Sequence, residues 1–109
     1  MTHGILSQVR ALVAAGKMKV SLHAAQELGN DGILIEPVID GIANATEIES
    51  YPAYHKGPCV LVLQFDEGGM PLHLLWGIPA RAEQPAVLVT AYRPDPDRWD
   101  ASFTRRTRT

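Results

Sequence analysis

The apolar residues of this chain change their spacing once, after Ala45, and that change constrains the fold more than any other feature. Before it they recur at intervals of three and four, the period of one helix face. After it they alternate or run continuously, which is the habit of strands. Ile5, Leu6, Val9, Leu12 and Val13 lay out a first helix, with Gly16 as its stop. "KMKVS" then reads as a connector. Ser21 suits the cap of a second helix from about Leu22 to Leu28, with Leu22, Ala25 and Leu28 facing inward. Gly29-Asn30-Asp31-Gly32 ends it. A third helix opens within "ILIEPVIDGIANA", where Pro37 fits the first turn and Ile35, Val38, Ile39 and Ile42 form the apolar stripe.

The second half reads as strands. "EIESYPAY" is the weakest, and Pro52 pushes it towards a sheet edge. "CVLVLQF" and "PLHLLWGI" form a hairpin around the turn "DEGGM", and "AVLVTAYR" is a further strong strand. The expectation is an α+β domain, with short N-terminal helices packed on a roughly four-stranded antiparallel sheet. Alternation sets Leu72, Leu74, Trp76 and Ile78 against His73, Leu75 and Gly77. It sets Leu88, Thr90 and Tyr92 against Val87, Val89 and Ala91. Leu61, Leu63, Leu74, Trp76, Val87 and Val89 are expected beneath the helices. The mixed faces, with His73, Thr90 and Tyr92, are the expected place for a site.

A chain of 109 residues suits one domain. We expect it to span 1–100, followed by a flexible basic tail over 101–109 that carries Arg105, Arg106 and Arg108. The net charge of -2 argues against nucleic-acid binding by bulk charge and leaves only a local patch. Cys59, the one cysteine, sits in an apolar run, rules out an intrachain disulfide and fits a reducing compartment. No apolar run approaches the ~20 residues of a membrane span, and no secretory h-region opens the chain. A cytoplasmic protein with no membrane partner is expected. The histidines, His3, His23, His55 and His73, lack zinc-motif spacing, and no glycine-rich phosphate loop is present. No metal and no cofactor are expected.

His23, His73, Tyr92 and Arg93 are the residues whose types carry chemistry. Together such groups can cleave RNA without a metal. One takes the proton of the 2′-hydroxyl, another protonates the leaving oxygen, and a cation steadies the phosphate. Histidine serves as acid or base near neutral pH. Arg93 can clamp a phosphate through two parallel hydrogen bonds, and Tyr92 can stack on a base or donate a proton. Each has a plainer reading. His23 fits a surface position paired with Glu27 one turn on. His73 fits a hydrogen-bonded histidine on a sheet face. Tyr92 and Trp99 fit an aromatic seal at the sheet edge.

"SLHAAQELGNDGI", then an apolar helix, "IESYP", the strand "PLHLL" and finally "VTAYRPDPDRW" resemble domain-of-unknown-function family 4258, a family of small prokaryotic domains. The resemblance runs from about Val20 to Trp99. It implies a likeness in fold to the RelE and barnase ribonucleases and toxins. It further implies RNA as a substrate class, a metal-independent ribonuclease of toxin type as the activity, and an antitoxin-like protein as partner. His23, His73, Thr90 and Tyr92 fall on the family's pattern, with Thr90 as a substrate contact. Family members commonly read H-A-x-x-R-M-x-x-R-G-I, whereas this chain has Glu27 and Asp31 at the two arginine positions. Two anions there repel a phosphate. The alternative is therefore a degenerate, non-catalytic member that binds a partner protein or small ligand on the sheet face.

Overall fold

The computed structural model describes residues 4–107. His3 and Arg108 lie outside that range. The chain runs α1 (Ile5–Ala14), β1 (Met18–Val20), α2 (Leu22–Asn30), α3 (Ile35–Gly41), a 3-10 turn (Ile42–Asn44), β2 (Thr46–Tyr51), β3 (Cys59–Phe65), β4 (Pro71–Gly77) and β5 (Ala86–Tyr92). The fold is α+β, as the change of period implies. No helix among the described residues is long and apolar enough to cross a membrane.

The helices start and stop for local reasons. The Ser21 hydroxyl accepts the Ala24 N–H at 3.0 Å, which satisfies one of the donors a helix start leaves spare. At its end, Ile33 N–H donates to the Leu28 carbonyl and Gly32 N–H to that of Gly29, with Gly32 at φ +66. This paired closure needs the left-handed conformation that glycine adopts freely. Arg10 of α1 ties the third helix to the first. Its guanidinium donates to the carbonyls of Ile42 (3.0 Å), which also accepts the Ala45 N–H, and of Ala45 (2.6 Å).

The sheet differs from the expectation. It has five strands in the order β1-β5-β4-β3-β2, and β1 pairs parallel to β5. The stretch "KMKVS", which reads as a connector, thus contains an edge strand. Three residues are too few to show a period, and the partner lies far along the chain. β2, flanked by Pro52, is the other edge.

Helices cover one face only. Val60, Val62, Leu72, Leu74, Trp76, Ile78, Ala86, Leu88 and Ala91 form one buried cluster with the apolar stripes of the three helices. Leu74 and Trp76 lie there as expected, but four of the expected core residues do not. Leu61 and Leu63 are buried on the opposite face, opposite Leu75 and His73 of β4. Val87 is half-buried and Val89 is 39% exposed. A β-bulge in β5 is the cause. Trp76 pairs with Leu88 and Leu75 with Thr90, so Val89 is an extra residue and the alternation changes phase there. The inward side of α2 is likewise set by Ala24 and Leu28, while Leu22 and Ala25 are exposed.

Candidate functional site

The register brings His73, Thr90 and Tyr92 onto the face that the helices leave open. His73 pairs with Tyr92, and Leu75 with Thr90. The His73 side chain is nonetheless fully enclosed. Its Nε2 lies 2.7 Å from the Phe103 carbonyl and its Nδ1 3.0 Å from the Tyr92 hydroxyl. A carbonyl only accepts, so Nε2 carries the hydrogen and Nδ1 accepts from Tyr92. Trp99 packs edge-on against the imidazole at 4.4 Å. Burial pushes the His73 pKa below the ordinary histidine value, and the same cause raises that of Tyr92. Both groups are therefore neutral near pH 7, and each hydrogen-bonds within the fold.

The other candidates lie elsewhere. His23 stands on the outer side of α2, with its side chain 62% exposed and Nε2 3.7 Å from a Glu27 carboxylate oxygen. Arg93 donates to Asp66 at 2.9 Å in the β3–β4 turn. That aspartate also accepts from the Gly68 and Met70 N–H groups, and these bonds hold its carboxyl below the usual range, with Met70 contributing most. Arg93 borders a hollow of about 190 Å³ beside α3, shared with Gln64 and Leu72. The Nη1 of Arg93 and the Oε1 of Gln64 are buried without a protein partner. Among the described residues no group of three or more His, Cys, Asp or Glu side chains converges as a metal ligand set.

The C-terminal stretch divides the open face. Trp99 is buried, pairs with Arg106 in a short antiparallel bridge and carries that guanidinium 4.7 Å above its ring. Arg106 also reaches Glu49 of β2 at 3.4 Å. This arrangement covers the His73 end of the sheet. The other end is a groove of about 610 Å³. Its floor comprises Leu61, Leu75 and Gly77, and Tyr51, Tyr54 and Tyr92 stand around it. Gly77 faces the groove opposite Cys59 and Val87, and the missing side chain deepens it. The loop that brings Tyr54 and Lys56 to the rim is pinned. Ala80 N–H donates to the Lys56 carbonyl and Gly57 N–H to that of Tyr54. Gly57 sits at φ +125, and a side chain there would strike the Ile78 carbonyl.

Alternation supplied the polar members of this face, but not the groove. The pattern reads Leu61 as core and does not single out Leu75, because a run of leucines does not tell a covered face from an open one. Lys56 and Arg106 lie in a loop and in the terminal stretch, where no period applies.

The residues behind the sequence motifs hold structural posts. In S-x-H-A, Ser21 caps α2 and donates to the Val89 carbonyl at the bulge, while Ala24 is fully buried. In G-I, Gly32 and Ile33 close the same helix. A family model described as domain of unknown function (DUF4258) matches residues 20–93. No curated protein matches the chain. No solved structure matches it either. With most of its length covered by that model, the chain belongs to the DUF4258 family.

Proposed function

We propose that this chain is a non-catalytic binding module whose open sheet face takes a small organic ligand. The observation that carries the reading is the groove of about 610 Å³ with its apolar floor. Small-molecule sites fall in this size range and are mostly apolar, with a few polar groups for orientation. Thr90, Tyr92 and the rim tyrosines supply such groups.

The ribonuclease reading, with its RelE or barnase likeness, rests on the family resemblance. Acid–base cleavage needs two proton-transfer groups within reach of one substrate. His73 has both ring nitrogens engaged and no exposed surface, and Arg93 is held by Asp66. The His23 imidazole stands beside Glu27, where a phosphate meets an anion.

Two measurements test the proposal together. Ligand-observed NMR against a diverse set of low-mass organic molecules is expected to yield binders that Gly77→Val, which fills the groove, releases. A labelled RNA incubated with the protein and a chelator is expected to stay intact. Robust cleavage that His23→Ala abolishes would overturn the binding-module reading, as would a set of binders indifferent to Gly77→Val.

A further inference from the structure

We propose that the ligand of this groove is an anionic aromatic molecule, its charge at Lys56 and its rings over Leu75 and Gly77. This rests on the groove being the binding site and adds the chemical class of its occupant. The charge distribution is the first observation. The chain carries a net charge of -2, yet the groove is lined by the cations Lys56 and Arg106 and by no carboxylate. These cations are not equivalent. Arg106 donates to Glu49 and lies over the Trp99 ring, so its charge is already compensated. Lys56 forms no ion pair among the described residues. The free positive charge is therefore at the end away from the C-terminal stretch, on a loop whose backbone is fixed by the Ala80 N–H. An anion at that end gains a charge-assisted contact that none of the described residues supplies.

The body of the ligand is read from the walls. Tyr51 and Tyr54 are exposed at the rim despite their size, and Tyr92 stands at the far end. The Tyr51 hydroxyl donates to Glu49 at 2.6 Å, which anchors that ring and pushes its pKa up to about 12. The Tyr51 hydroxyl is therefore neutral at any physiological pH, and its ring adds no anion against the ligand. Tyrosine rings that keep apolar surface exposed favour offset or edge-on contact with another ring. Gly77 sets the depth available. A Cβ at this position meets Cys59 and Val89 at 3.5 Å, ordinary contact, so small side chains fit the strand while projecting into the groove.

A matched pair of dyes separates charge from apolar burial. 1-Anilinonaphthalene-8-sulfonate and N-phenyl-1-naphthylamine share a ring skeleton and differ in the sulfonate. In fluorescence titrations we expect the sulfonate to bind, and Lys56→Met to weaken it by about fivefold, the upper end for one exposed ion pair. Lys56→Met should leave the neutral dye unchanged, and Arg106→Met should alter the sulfonate less than Lys56→Met does. Gly77→Val, and independently Val89→Trp at the exposed wall, should abolish both signals in proteins whose melting remains cooperative. Equal binding of the two dyes, indifferent to Lys56→Met but lost in Gly77→Val, would overturn the anionic class and leave the groove as the site. Decanoate displacing the sulfonate more effectively than 2-naphthoate does would overturn the aromatic class. Dye binding that neither groove-filling variant disturbs would overturn both this proposal and the binding-module reading.

Discussion

One tautomer of His73 satisfies both neighbours, and that fixes how this residue responds to acid. Protonation adds a hydrogen at Nδ1, which then meets the Tyr92 hydroxyl donor-to-donor until that hydroxyl turns away. Burial adds a larger cost and holds the pKa below the ordinary value of 6.5. The unfolded chain therefore takes up the proton at a pH where the folded chain does not. Stability from His73 is complete above about 6.5 and is lost as the pH falls through the folded value. Asp66 adds a second loss that begins at lower pH, since its folded pKa is depressed below 3.8. Urea melts from pH 8 to pH 5 should show falling stability in the wild type and a flatter profile in His73→Gln. A wild-type profile that is level across that range would sink the buried neutral imidazole. Tyr92→Phe removes one hydrogen-bond donor and should cost about 1 kcal/mol at pH 8.

Within β5 the bulge at Val89 decides which residues the helices cover. Leu88 is fully buried under them, and its truncation to alanine should cost roughly 2–5 kcal/mol. Val89→Ala, one residue on, should stay within about 0.5 kcal/mol in the same melts. Equal losses would mean that the bulge is misplaced. This strand shows what periodicity conveys and what it omits. "AVLVTAY" is plainly a strand, and Leu72, Leu74, Trp76 and Ile78 are legible as one face of the strand before it. A bulge, however, changes phase without changing composition, so Val87 and Val89 read as core. α2 has a similar ambiguity, because Ala24 and Ala25 weigh alike in any pattern and only packing chooses between them. β1 escapes any local pattern because its three residues pair with a strand encoded 68 residues later, Met18 with Ala86. The chemistry-bearing types were legible too. Their division among the open face, the α2 surface and the β3–β4 turn depends on register, which no local pattern carries.

Across the whole molecule, one sheet face is covered by helices, while the other is shared between the groove and the C-terminal stretch. We propose that residues 101–107, set apart from the domain by their basic composition, belong to the folded unit. Phe103 places its carbonyl on His73, and Arg106 reaches both Trp99 and Glu49. Ending the chain at Asp100 removes these contacts while keeping Trp99. It should cost about 1–3 kcal/mol, the range for a buried polar group that loses its partner. Water then reaches the imidazole, so the His73 titration followed by proton NMR should move up towards the ordinary value. Phe103→Gly is the control. It keeps the carbonyl, and glycine adopts the φ of +59 found there without the penalty a side chain carries. That variant should retain the wild-type His73 titration. A chain ending at Asp100 that matches the wild type in both stability and His73 titration would show that the fold is complete without the terminal stretch.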